Sequence, residues 1–236
     1  MKQTKDTYDQ LAKTYDEDVD TNSPFNSDYE RPAMMNMIPE DLQGYSILDA
    51  GCSAGWYTEM LTERGAKVTG IDLSPKMIAA AKRRLKGRAN VFCHDLSVKL
   101  PFNHNEFDFI ISSLTLHYLK DWTFTFNEFN RILKPQGTFL FSTHHPFMDF
   151  TRFQCDDYFE TSLLQDTWHK PSITINVSFY RRSLQKIIHD TNNYFQLEKL
   201  IEPQGHERMK KTAPNHYEYV MKNPHFLIIE AKSRKS

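Results

Sequence analysis

The sequence predicts an α/β protein with a doubly wound, mostly parallel seven-stranded sheet, and three observations carry that prediction. Short apolar runs alternate with helical stretches from Tyr45 onward, the rhythm by which βα units stack a parallel sheet. Glycines stand where the first strand gives way to its helix. Five such units run before the rhythm breaks, and two more strand-like runs follow.

Residues 45–50 read as a buried first strand, and 51–55 turn the chain into a helix over 56–64. Gly65 ends that helix by taking a left-handed conformation. Residues 67–72 form the second strand. Ser74 can cap the next helix with its hydroxyl and Pro75 suits the first helical position, so a helix runs over 77–85. Strands three and four fall at 90–95 and 107–114, a helix at 123–133, a turn at Lys134-Pro135-Gln136-Gly137, and the fifth strand at 138–143. Residues 146–180 are rich in Phe, Tyr and Trp and alternate from 172 to 180, which predicts an inserted cap built on a hairpin. A helix over 183–191 and strands over 195–201 and 225–231 complete the sheet. The connection over 202–224 is long enough to imply a function.

A chain of 236 residues can bury one substantial core, and a single domain is expected. Hydrophobic content of 39% and charged content of 25% are close to globular averages and exclude a largely disordered chain. Lys and Arg number 29 against 30 Asp and Glu. That balance offers no overall attraction to nucleic acid or to an anionic membrane, so neither partner is expected. Cys52, Cys93 and Cys155 lie far apart with no C-x-x-C pair, which fits a reducing compartment and neither a disulfide scaffold nor a thiolate zinc site. The first residues lack the apolar stretch of a secretory signal, and no run approaches the roughly 18 apolar residues of a membrane span. The expected location is the cytoplasm.

The candidate site begins at Ile47-Leu48-Asp49-Ala50-Gly51-Cys52-Ser53-Ala54-Gly55, where glycines let a ligand approach the backbone. Asp72 ends the second strand 21 residues after Gly51, the spacing at which an acid meets ribose hydroxyls in nucleotide-binding α/β folds. Asp49, just before the turn, would repel the pyrophosphate of a dinucleotide on the helix N-terminus, which counts against an oxidoreductase. The turn also lacks the Gly-Lys-Ser/Thr ending of a P-loop. S-adenosylmethionine has no phosphate and carries an ammonium and a sulfonium, and it suits this turn.

His117, His144 and His145 follow the ends of strands four and five, at the edge where open α/β sheets bind ligands, and each is a candidate base. No metal is expected. Adjacent residues on a strand point to opposite faces, and no further ligand stands at a suitable spacing from the His144-His145 pair. The clusters Arg181, Arg182, Lys186 and Arg208, Lys210, Lys211 read as solvated surface.

The segments Leu48-Asp49-Ala50-Gly51-Cys52-Ser53-Ala54-Gly55, Gly70-Ile71-Asp72-Leu73-Ser74-Pro75-Lys76-Met77, Asp95, Phe107-Asp108-Phe109-Ile110-Ile111-Ser112-Ser113-Leu114 and Arg131-Ile132-Leu133-Lys134-Pro135-Gln136-Gly137 resemble those of the class I methyltransferases. The likeness is to the small-molecule group with the ubiquinone, menaquinone and biotin-pathway enzymes, and it spans about residues 45–143. It implies a Rossmann-like methyltransferase fold that binds S-adenosyl-L-methionine, with 45–145 as cofactor-binding core, 1–44 as N-terminal lid helices, 146–180 as cap and 181–236 as closing helix and strands. It further implies Asp49, Gly51, Cys52 and Gly55 around the methionine portion, Asp72 on the ribose, Asp95 on the adenine amine with Leu73 and Leu96 nearby, and Ser113 beneath the transferring methyl. The group usually has Gly where Ser53 stands, so a small side chain must be tolerated there.

The expected reaction is direct in-line displacement onto a small-molecule acceptor, aromatic or partly apolar, with His117, His144 and the lid residue Tyr15 as candidates on the acceptor side. Ser112-Ser113-Leu114-Thr115 differs from the Asn-Pro-Pro-Tyr or Asp-Pro-Pro-Tyr that enzymes methylating planar amino groups resemble at this place. An RNA or protein methyltransferase, and a non-catalytic binder of the same cofactor, are the alternative readings.

Overall fold

A computed structural model describes residues 2–14, 23–170 and 173–235. Helix α1 (Lys2–Thr14) opens the chain, and a π-helical turn, Asn26–Glu30, runs directly into α2 (Arg31–Met35). The βα units follow as β1 (Ser46–Ala50), α3 (Trp56–Glu63), β2 (Lys67–Asp72), α4 (Pro75–Leu85), β3 (Asn90–Cys93), β4 (Phe107–Ser112), a 3-10 turn at Leu116–Tyr118, α5 (Thr123–Ile132) and β5 (Leu133–His144). Then come α6 (Pro146–Arg152), the hairpin β6 (Ser162–Lys170) and β7 (Ile173–Arg181), α7 (Leu184–Tyr194), β8 (Phe195–Ile201), α8 (Glu207–Thr212), α9 (Pro214–Val220) and β9 (Phe226–Ser233). Among the described residues no helix is long and apolar enough to cross a membrane.

Seven strands form one sheet in the order β3-β2-β1-β4-β5-β9-β8. Pairing is parallel from β3 through β5, while β9 runs antiparallel to both β5 and β8. The order reverses between β1 and β4. At such a switch point the loops leaving adjacent strands diverge, and a crevice opens beyond their carboxyl ends.

Both faces of the sheet are covered, and strand alternation decides what each residue meets. In β1, Ile47 joins Met34, Tyr57 and Leu61 on the face of α2 and α3, whereas Leu48 joins Phe126 and Phe129 on the face of α5. The same division separates Phe109 from Ile110 in β4 and Leu140 from Phe141 in β5. Each fully buried side chain of this size contributes roughly 1.5–3 kcal/mol. Ser74 accepts from the Met77 amide and Pro75 opens α4, as the dipeptide predicts.

The separate hairpin lies with α1, not with the main sheet: Leu11 and Ala12 pack with Leu164, Ile175, Val177 and Phe179, and with Met77 and Ala80 of α4. Three expectations change. Residues 134–137 do not separate α5 from β5 but bulge within it, since Phe107 pairs with Leu133 and Phe109 with Thr138. Arg181 and Arg182 are buried, not solvated. Arg181 donates to the carbonyls of Asp157, Tyr158 and Glu160, and Arg182 donates to Leu119 O while lying 4.1 Å over the Trp122 ring. The connection over 202–224 carries two helices, whose Met209 and Val220 pack on Tyr29 and Phe226.

Candidate active site

The turn after β1 is shaped by its neighbours. Gly51 has φ +90°, and a Cβ there would stand 2.2 Å from Thr115 Oγ1, so side chains are excluded by the protein itself. Gly55, at φ +84°, brings α3 against α4, where a Cβ would lie 3.1 Å from that of Ala81. Ser53 takes φ +49°, a left-handed conformation open to glycine and costly for serine, which accounts for the glycine that the resembling group carries there. The Ser53 amide donates to Asp72 Oδ2 at 2.9 Å, and the Ser74 amide donates to Oδ1 at 2.8 Å. These bonds hold the Asp72 carboxylate in the wall of a cavity of about 660 Å³.

The cavity lies over the carboxyl edge of the sheet. Gly51, Cys52, Asp72, Leu73, His94 and Leu96 line one part of it. Ser113, Leu114, Thr115, His117 and His144 line the part beyond β4 and β5, and His216, Tyr219, His225 and Phe226 extend that wall. Tyr8 of α1, Met148 and Arg152 of α6, and Asp166 and Trp168 of β6 also border it. Tyr8 donates from its hydroxyl to that of Tyr118 at 2.7 Å, which ties α1 to the loop after β4.

Of the residues expected at the site, the structure brings Gly51, Cys52, Asp72, Leu73, Leu96, Ser113, His117 and His144 to this one cavity. Asp49, Gly55 and Asp95 do not line it. Asp49 is buried beneath the turn and accepts from Thr58 Oγ1 at 2.6 Å. Asp95 Oδ1 accepts from the amide and the hydroxyl of Ser97, so it shapes its own loop. Tyr15 lies outside the described residues. His145 turns away from the cavity: its Nδ1 accepts from the Phe147 amide at 3.2 Å, capping α6, which leaves Nε2–H to donate to Glu202 at 2.8 Å. Of the cap aromatics, Trp168 reaches the cavity, while Phe147 is 55% exposed and Tyr158 packs on Phe150.

Burial dominates the electrostatics. It pushes the Asp49 carboxyl up to about 7, with the Asp72 charge adding to the effect, and pushes Asp72 up to about 6 against the pull of its amide donors. The His117 imidazole, 2% exposed, is held well below its ordinary value, and His225 is lowered to about 3. Both rings are neutral at pH 7.

Sequence reasoning missed Glu30. The π-helical turn delivers it, 1% exposed, to the ends of β4 and β5, where it accepts from Tyr57 Oη at 2.8 Å, Ser113 Oγ at 2.8 Å and Ser142 Oγ at 2.6 Å. Burial raises its pKa against those three donors. The available signal was spacing: Glu30, Met34 and Ile38 recur every four residues, which sets a carboxylate on an apolar helical stripe. Arg31, next in the chain, lies 4.3 Å over the Trp56 ring, and both border the cavity.

Comparisons with known proteins agree with this architecture. Residues 48–141 match the family described as "Methyltransferase domain". The chain is 36% identical over 98 residues to a malonyl-[acyl-carrier protein] O-methyltransferase of Buchnera aphidicola, covering 42% of this chain and 39% of that one. It spans half or less of the length of the curated relatives it matches. A solved structure from Listeria monocytogenes superposes with a TM-score of 0.74 at 28% identity, over 87% of this chain and 97% of that one. An S-adenosylmethionine dependent methyltransferase from Mesorhizobium loti superposes with 0.69 at 26% identity, over 86% and 97%.

Proposed function

We infer that this chain, which belongs to the class I S-adenosylmethionine-dependent methyltransferases, moves the methyl group of that cofactor to an oxygen of a small acceptor. One observation carries the reading: a single cavity runs from the Gly51 turn and Asp72 to His117 and His144, at the switch point of the sheet. Its volume of about 660 Å³ is within the usual range for small-molecule sites.

The residues fit the cofactor. Each Asp72 oxygen accepts one backbone amide and keeps further lone-pair capacity for ribose hydroxyls. Leu73 and Leu96 line the cavity as apolar walls suited to the adenine, and we assign the Glu30-Ser113 pair to the side of the transferring methyl. Asp49 acts from beneath the turn: a cationic ligand favours ionisation of the raised Asp49 and Asp72 carboxyls, and a pyrophosphate opposes it. The bound sulfonium supplies an activated methyl. What the protein supplies is alignment, which is worth roughly 7–11 kcal/mol of a barrier, and the exclusion of water by Tyr8, Met148 and Trp168. The O-methyltransferase name of the Buchnera relative supports oxygen as the accepting atom.

Calorimetric titration tests the cofactor assignment. Micromolar binding of S-adenosylhomocysteine and none of NAD is expected, and tighter binding of NAD would overturn it.

A further inference from the structure

At the acceptor end of the cavity, His117 and His144 line the wall and Asp149 lies buried behind His144, a group of polar atoms that the methyltransferase reading leaves unexplained. Asp149, in the first turn of α6, is 2% exposed, and its Oδ1 has no hydrogen-bond partner among the described residues. That oxygen lies 3.4 Å from His144 Nδ1, within ion-pair range though not aligned as a hydrogen bond. His117 stacks on His144 with ring centroids 4.3 Å apart and 29° between planes, and both of its ring nitrogens are buried without partners. A buried imidazole and carboxylate left unpaired cost free energy, so a site that keeps them holds them ready for a ligand or a step.

We propose that His144 is the general base for the acceptor, that Asp149 is the residue that positions it, and that the acceptor is a neutral hydroxyl compound of the phenol class rather than a carboxylate. The proposal rests on the methyltransferase reading and deepens it. A carboxylate acceptor arrives ionised at neutral pH and has no use for a base, and the buried Asp149 would repel it. Arg152, the cation of the same helix, is already bonded to Asp166 through Nη2 at 2.9 Å and 3.0 Å.

With Nδ1–H turned to Asp149, Nε2 of His144 is left to accept the acceptor's proton. In the step, the acceptor oxygen forms a bond to the methyl carbon as the carbon–sulfur bond breaks, and that electron pair leaves on sulfur as the neutral thioether. The hydroxyl proton passes to His144 Nε2. The imidazolium so formed is stabilised by the Asp149 carboxylate and by the face of the neutral His117 ring, and it returns its proton to solvent when the products leave. Among the described residues, Phe179 of β7, Phe226 of β9 and the neutral His225 also face His144.

Two measurements test this. In the S-adenosylhomocysteine complex, 15N NMR of the His144 ring should show the proton on Nδ1 in the parent and its displacement toward Nε2 in Asp149→Asn, with Asp149→Glu restoring the parent tautomer. An unchanged tautomer in a folded Asp149→Asn variant overturns the positioning role. The second measurement follows methyl transfer from S-adenosylmethionine to phenol and to 4-nitrophenol at a pH where only the latter is ionised. His144→Gln should lose about a hundredfold or more with phenol, and at least tenfold less with 4-nitrophenolate. Equal losses overturn the base, and transfer to neither phenol by a parent that binds S-adenosylhomocysteine overturns the acceptor class. Failure to bind S-adenosylhomocysteine would instead overturn the cofactor assignment.

Discussion

At the scale of single residues, the same side chains that line the cavity also place its backbone. Asp72→Ala should weaken S-adenosylhomocysteine binding by roughly 2–4 kcal/mol, because it removes charge-assisted bonds to the ribose and frees the Ser53 and Ser74 amides. Calorimetry on the folded variant measures it; unchanged affinity would remove the ribose role. Gly51→Ala should cost more than about 1 kcal/mol of stability in urea unfolding, since it combines a positive φ with a Cβ overlapping Thr115. Thr115→Gly in the same chain should recover the overlap but not the backbone strain, and full additivity of the two changes would show that the contact is not the cause. Gly51 and Asp72 were legible because their spacing in the chain is itself the constraint. Glu30 and Asp149 were not, because a long-range partner, Ser113 for one and His144 for the other, gives each its meaning.

Among the elements, the β6–β7 hairpin and α1 form one unit. Thr7 Oγ1 donates to Asn176 O across them, and Leu11 shares a cluster with Val177 and Phe179. Replacing most of the hairpin by a short Gly-Ser linker should therefore speed hydrogen exchange of the α1 amides by about tenfold or more while β1, β4 and β5 keep their protection. Unaltered α1 exchange would show that the hydrogen bonds of Ser74 to Asp9 and of Tyr8 to Tyr118 suffice to hold the helix. The alternation over 172–180 announced the hairpin, and the bounds of β2 follow directly from its apolar run. The π-helical turn carries no such mark, since its geometry answers to the packing of Tyr29 on Phe226 and to the three donors around Glu30. Arg181 and Arg182 misled for the same reason: the carbonyls that receive them come from distant loops.

For the molecule as a whole, two sets of buried groups oppose each other in pH. Asp49 and Asp72 hold protons up to about 7 and about 6, whereas the unfolded chain releases them near 4. Between those values the folded state binds more protons, so their contribution to stability falls as pH rises. His117 and His225 are depressed, the unfolded chain protonates them near 6.5, and their contribution is lost as pH falls through that region. The slopes offset one another, and the melting temperature of the free protein should be nearly flat between about pH 4.5 and 6.5. A bound cofactor that favours both ionised carboxyls leaves the histidine slope alone, so the gain in melting temperature from S-adenosylmethionine should grow with pH over that range. Thermal shift measurements in matched buffers decide it, and a ligand-induced gain that is constant or falls with pH contradicts the assignment.

Strand β9 pairs on one side with β5 and on the other with β8, both of which precede it in the chain. During synthesis the edges of β5 and β8 therefore stay unsatisfied until residues 226–233 have emerged from the ribosome, and the strand must then enter a gap already flanked on both sides. Contacts so distant along the chain are slow to form, and open strand edges invite other chains in the interval. His225 stands immediately before that strand, and β5 ends in His144. The His117 and His144 end of the cavity is thus assembled by the closing event of the sheet, and a nascent chain acquires the Gly51 turn well before it acquires the wall that includes His225 and Phe226.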